Sequence, residues 1–414
     1  MPVEDVTDDR TQKAASTNRI EALAQLEDCV RDIQHLPRFG RFHKGLKTKQ
    51  MQNCATEGSI VVINITNLRS DAIIVTANAF KVLPLPGLGA NQAKDWISQD
   101  LTTTSKNDSD RKNKAYFQFL SWLWRECVRP VLDKLPFHVQ PSADDLPRIW
   151  WIGTGLASTF PFHSAGDVSA GLTESLCYRA ISSYTPTIKA LQYSRERAST
   201  TTSALSDRDT WRVVIVTMPE TPGANPLPGT RREKTEVIAA MGPSVSIETL
   251  EHPDVKNTMA QLQQCNVAHF ACHGVSDLLD PSKSGLILQT ASTATEESMQ
   301  DILSVRAVSQ THLSRAEIAY LSACSTAQNQ VMKLADEVLH VVSGFQVAGF
   351  RHVVGCLWPS DDKVCVEVAK SFYSELGQGR NTALALHKAV VKVRESRDYY
   401  KRPLLWAQYV HFGA

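Results

Sequence analysis

The chain has 414 residues, of which 43% are hydrophobic and 21% charged, with a formal net charge of +1. This is an ordinary globular composition, with apolar side chain enough for two to three domains' worth of core. So even a charge balance gives neither nucleic acid nor a membrane surface an electrostatic hold. No run reaches the roughly 18 apolar residues of a bilayer span. The acidic start MPVEDVTDDRTQK is unlike a secretory leader, so a cytoplasmic setting is expected. Its nine cysteines are then expected to be reduced, and without any CxxC spacing they do not suggest zinc.

Residues 1–18 are polar and read as a frayed end. The stretch 19–36 puts Ile20, Leu23, Leu26, Val30 and Ile33 on one helical face, and a second helical piece is expected over about 40–55. Such a pair needs a partner surface for its apolar stripe. The β-branched runs 58–65 and 71–77 predict a strand pair around the polar turn NLRSD. Residues 99–114 read as a charged loop and 115–135 as a buried aromatic helix that Pro130 should end or kink. PRIWWIGTG (147–155) is a core strand, and the serine/threonine-rich segment 194–210 a linker. The tryptophans 122, 124, 150 and 151 are core; a base-stacking platform would have lysine and arginine interleaved.

From residue 211 on, apolar strands alternate with amphipathic helices, which predicts a mostly parallel α/β sheet with helices on both faces. In such sheets chemistry gathers outside the carboxyl ends of the strands. Two apolar runs end there on reactive side chains: NVAHFACHG at His273 and AEIAYLSAC at Cys324, 51 residues later. A histidine about 50 residues before a cysteine is the caspase arrangement. The thiolate is the nucleophile, and an imidazole beside it takes and returns the proton. Gly274, lacking a side chain, would let its N–H approach an oxyanion together with the N–H of Cys324. His269, four strand residues or about 13 Å before His273, reads as a core or supporting histidine and not as a co-ligand of a metal. Cys272, facing away from His273, reads as structural. Asp361 and Asp362 open a helix, where one should act as N-cap; the alternative is that they line a pocket for a basic substrate side chain.

These segments resemble the CHAT domain, a relative of caspases and separase often fused to tetratricopeptide repeats. The resemblance rests on AHFACHG, LSACSTAQ, DEVLHVVSGFQVAGFRHVVGCLWPSDD and PLLWAQYVHFG, with WIGTGLASTFPFHSAG and ISSYTPTIKAL upstream. It covers about 147–414 well and 40–146 loosely. Ala335 stands where the family has glycine before Asp336–Glu337, and Ser325 where many members have an acidic residue.

The resemblance implies a caspase-like sheet preceded by a smaller α/β half and an N-terminal helical segment, divided as 1–55, 56–205 and 206–414. It implies a His273–Cys324 dyad cutting protein or peptide substrates without cofactor or metal. Residues 19–55, read as the last repeat of a helical array, suggest a regulatory protein contacting the N-terminal helices. The competing expectation is a catalytically silent caspase-like signalling or scaffold module.

Overall fold

The computed structural model describes residues 8–37, 39–99, 101–102, 109–135, 145–171, 174–201, 211–277, 279–291, 297–323, 341–358 and 361–414. They fall into two units, residues 1–51 and residues 52–414. The first unit is dominated by α1 (Asp8–His35). It starts well inside the end expected to fray, because Arg10, Gln12, Lys13, Ala14 and Ala15 are all good helix formers. The second expected helix is the short α2 (Thr48–Asn53).

In the second unit, β1 (Ser59–Ile65) and β2 (Ser70–Val75) form the expected antiparallel pair, and β3 (Phe80–Pro84) extends it. After α3 (Ala90–Ser98) comes α4 (Ser109–Leu123), whose first turns use charged residues expected to be a loop. Tertiary contact explains the difference. Asn113 is buried there, donating to the Ser109 carbonyl at 2.8 Å and accepting the Leu404 N–H at 3.2 Å. The expected Pro130 kink is resolved by a π-helical turn, Trp124–Val128, in which the Arg129 N–H reaches back to the Trp124 carbonyl. Pro130 then falls in the first turn of α5 (Arg129–Leu132), where its missing N–H costs nothing.

The core strand β4 (Arg148–Gly155) and β5 (Ile181–Tyr184) precede α6 (Ile188–Thr201). The expected linker is therefore helical up to Thr201; its remainder lies outside the described residues. The alternation then runs β6 (Arg212–Thr217), α7 (Gly229–Met241), β7 (Ser246–Glu251), α8 (Val255–Leu262), β8 (Val267–Val275) and β9 (Gly285–Gln289). Next come β10 (Gln300–Ser304), α9 (Val305–Ser309), β11 (Ile318–Ala323), α10 (Val341–Ala348) and β12 (His352–Cys356). The chain ends with α11 (Asp362–Gly377), α12 (Thr382–Glu395), α13 (Pro403–Trp406) and β13 (Tyr409–Gly413).

The thirteen strands of the described residues join one sheet, ordered β10-β9-β8-β11-β12-β13-β5-β4-β1-β2-β3, with β6 attached to β8 and β7 to β6. Most of its inner pairs are parallel, and hairpins β9–β10 and β1–β2–β3 are antiparallel. β13 joins the earlier and later strands, antiparallel to β12 and parallel to β5. Helices cover both faces. On one, Phe270 of β8 meets Phe345 of α10; on the other, His269 meets Tyr373 of α11. The tryptophans expected in the core are there, with Trp151 fully buried and stacked on Phe162 at 4.9 Å.

This core holds uncharged imidazoles. Burial depresses His163 to about 3, and His352 and His411 well below the ordinary 6.5. In the unfolded chain each regains its ordinary value, so below pH 6.5 the unfolded state binds more protons. The stability these residues contribute is complete above pH 6.5 and is lost as pH falls toward 3. Urea midpoints are therefore expected to hold steady between pH 7 and 8 and to fall below 6.5. His163→Gln should lose less stability than the parent between pH 6.5 and 4; an identical loss would refute the assignment.

Candidate active site

The site is built where β6 stops and β8 continues. The Met218 N–H donates to the Ala271 carbonyl at 2.9 Å, after which the chain leaves the sheet. Beyond that point β9 takes over the vacated edge of β8, pairing Ile287 with His273, Leu286 with Gly274 and Gly285 with Val275. His273 and Gly274 thus sit half-buried at the carboxyl end of the sheet, on backbone held by a ladder.

The chain leaving β6 returns as a loop, residues 218–228, and closes on this end. The Leu227 N–H bonds the Pro219 carbonyl at 2.8 Å, and Gln300 Nε2 donates to the Pro222 carbonyl at 2.6 Å. His273 Nε2 lies 2.8 Å from the Asn225 carbonyl oxygen. A carbonyl can only accept, so Nε2 carries the proton of the neutral ring and Nδ1 is left with the lone pair. The ring is oriented by a backbone atom.

On its other edge β8 lies parallel to β11. Tyr320 is level with His269, Ser322 with Ala271 and Ala323 with Cys272. The described part of β11 ends at Ala323. Cys324, like Ser325, Ala335, Asp336 and Glu337, lies outside the described residues. Asp361 is the N-cap of α11, its carboxylate accepting from Lys363 N at 3.0 Å and Val364 N at 3.4 Å. Asp362 accepts from the Gly229 N–H at 3.3 Å, which ties α11 to the start of α7, four residues beyond Asn225. A Cβ at Gly229 would lie 2.8 Å from Asp362 Cβ, so this close approach requires glycine.

Beneath His273, on the same face, His269 is fully buried. Its Nδ1 is 3.2 Å from the Tyr373 hydroxyl of α11, and its Nε2 is 3.2 Å from Glu233 of α7, without hydrogen-bond alignment. Its ring stacks on Tyr320, centroids 4.9 Å apart. Four elements, β8, β11, α7 and α11, therefore meet on one polar cluster. Glu233 carried no signal in the sequence, since RREKTE reads as a solvated helix face. Asn225 carried none because its part is played by a backbone oxygen.

Two other cysteines on or beside β8 are packing residues. Cys272 is buried and faces away from His273, and at the opposite end of the strand burial pushes the Cys265 thiol up to about 12. Among the described residues no three His, Cys, Asp or Glu side chains cluster as a metal would require, and no helix is long and apolar enough to cross a membrane.

Because Glu233 and His269 are both buried, truncating one strands the other. His269→Leu is expected to cost about 1–3 kcal/mol, because it leaves buried polar groups of Glu233 and Tyr373 without that neighbour. The double variant with Glu233→Leu should recover much of that loss in urea unfolding. Additive losses in the double variant would show that the two side chains are not coupled.

The family model of the CHAT domain matches residues 118–414. No curated protein matches the sequence at a significant level. Among solved structures, two of the Saccharomyces cerevisiae separase–securin complex are similar in fold. One has a TM-score of 0.60 at 11% identity, covering 88% of this chain and 30% of that chain; the other has 0.58 at 12%, covering 88% and 31%. The chain thus spans about a third of the length of the separase chain it matches. The Arg-specific cysteine proteinase gingipain R gives a TM-score of 0.45 at 9% identity, over 78% of this chain and 74% of that one.

Proposed function

From the premise that the chain belongs to the CHAT domain family, we propose that it is a caspase-like cysteine endopeptidase with His273 and Cys324 as its dyad. The observation that carries this reading is the parallel register of β8 and β11. Ala323 is level with Cys272, and the residues that follow them in the sequence are Cys324 and His273. Side chains alternate along a strand, so residues 320 and 322 share a face, as do 269, 271 and 273; a strand continued by one residue would add 324 to the first set. That the two sets share the same face is supported by the stacked rings of Tyr320 and His269. One more rung would put the imidazole and the thiol side by side, at the strand spacing of about 4.8 Å.

The proposed chemistry follows from the ring's protonation. Nε2–H is held by the Asn225 carbonyl, so Nδ1 is the base that takes the Cys324 proton. The thiolate attacks the scissile carbonyl carbon, and the resulting oxyanion accepts from the N–H groups of Gly274 and Cys324. The imidazolium then protonates the leaving amine, and water, deprotonated by the same nitrogen, hydrolyses the acyl-enzyme. The Asn225 carbonyl stabilises the imidazolium stage, because its partial negative charge faces the ring.

The proposed selectivity is for a basic side chain next to the scissile bond. Asp362 reaches the start of α7, next to the loop that holds His273, and keeps a carboxylate oxygen beyond the one that Gly229 uses. Asp361 adds a second negative charge beside it.

Cys324→Ala should lower peptide cleavage by at least about 10³-fold with the fold retained. In the parent, alkylation of Cys324, followed by peptide mass spectrometry, should proceed well below the ordinary thiol pKa of about 8.5, and His273→Ala should move that profile up. Alkylation of the parent only near pH 8.5 would favour a silent scaffold. In peptide libraries, Asp362→Asn should reduce kcat/KM for lysine or arginine substrates about tenfold or more relative to neutral ones. An unchanged ratio would remove Asp362 from the pocket.

A further inference from the structure

A cavity of about 40 Å³ lies between α12 and the strands β5 and β13, and none of its lining residues belongs to the site described above. Its polar lining includes His163, Cys177, His387, Arg394 and His411, with Trp406 as a wall.

Arg394 is the unusual member. It is only 7% exposed. Its Nη1 donates to Ser175 Oγ at 2.9 Å and to the Cys177 sulfur. Its guanidinium lies against two rings, 4.9 Å from Trp406 and 5.1 Å from Tyr178. All of these partners are neutral. Burial keeps the Cys177 thiol protonated, its pKa raised even beside the arginine. Glu395, the next residue, instead accepts the Tyr178 hydroxyl at 2.9 Å. Among the described residues no carboxylate pairs with Arg394. Aromatic faces and hydroxyls offset part of the cost of burying a guanidinium but leave its charge uncompensated.

The other side chains on the cavity separate into satisfied and unsatisfied. His163 is used fully, by the Tyr184 hydroxyl at 2.8 Å and the Ala407 carbonyl at 3.1 Å. His411 is used by Ser183 at 2.8 Å and His352 at 3.1 Å. His387, two turns before Arg394 on the inner face of α12, lines the cavity with no hydrogen-bond partner for its ring among the described residues. A neutral imidazole always has one N–H to give. The cavity thus offers one uncompensated cation and one uncommitted donor. It exceeds the roughly 10–15 Å³ a single water needs and is too small for a tetrahedral oxyanion with its hydration.

We propose that this cavity is a binding site for one small monovalent anion of the halide class, held by Arg394 and His387. Bound there, the anion neutralises Arg394 and fixes the segment carrying Ser175, Cys177 and Tyr178 against α12. Anion binding thereby couples the part of the chain before β5 to α12.

The test uses the full chain at pH 7.5 and constant ionic strength, with sodium chloride replacing sodium gluconate. The expected result is a Tm that rises with chloride along a saturating curve, with bromide replacing chloride and sulfate failing to. Arg394→Gln and His387→Leu should each abolish that chloride-specific rise while keeping the baseline transition. Equal Tm values in both salts would overturn the site, and so would a saturating rise that both variants keep, since the anion would then bind elsewhere. If the variants do not fold, crystals of the parent soaked in bromide decide: an anomalous peak beside Arg394 supports the site, and density without anomalous signal in the cavity refutes it.

Discussion

The parallel pairing of β8 with β11 is the constraint on which the rest of the site depends. Both strands are buried on their two faces, because α10 covers one side and α7 with α11 covers the other. A register shift of one residue would turn His269 into the apolar face of Phe270 and Phe345, and would part Tyr320 from His269. Register is therefore set by burial over the whole strand, and the residues at its carboxyl end inherit their positions from it. This is why a reactive residue at the end of an apolar run is informative, whereas the same residue in a loop would not be.

The last strand plays the complementary part. β13 joins the strands before residue 200 to those after 211, and its end is fastened from the side. Trp150 Nε1 donates to the Gly413 carbonyl at 2.8 Å and Arg148 to the Ala414 carbonyl at 2.6 Å. Gly413 has φ 121, and a Cβ there would lie 2.0 Å from the Arg351 carbonyl oxygen. The WAQYVHFG ending is thus a structural requirement at its glycine and a packing one at Trp406, which is buried against Arg394. The expected halves on either side of residue 205 share one sheet through this strand.

How much was legible follows from what kind of signal each feature leaves. β8, β11 and β12 were readable because both faces are buried, which writes an unbroken apolar run into the sequence. β3 and β10 were not, because an exposed edge strand such as FKVLP or QDILS needs no such run. The first turns of α4 looked like a loop because their residues are charged or polar, and the distant contact of the buried Asn113 with Leu404 leaves no mark on that pattern. His273 and Gly274 could be found from a strand end. The carbonyl that orients the imidazole could not, since any residue at position 225 would offer the same atom. The partnership of His269 with Glu233 was hidden for another reason: a single buried carboxylate on an otherwise charged helix face does not disturb the helical pattern around it.

The two histidines of β8 show how one strand assigns opposite duties to the same side chain. His269 and His273 are four residues apart on one face, so they differ only in what covers them. At His269 the cover is complete, and its two ring nitrogens face Tyr373 and Glu233 in a dry core. At His273, β6 has already turned away, and the cover is a loop that satisfies Nε2 alone. A ring closed off in such a core can hold elements together but has no open side from which to exchange a proton with a substrate. A ring with one nitrogen fixed, and the other without a partner among the described residues, is oriented without being consumed, which is what the proposed acid–base role requires. The early departure of β6 from the sheet, and not any feature of the histidine itself, separates the two roles.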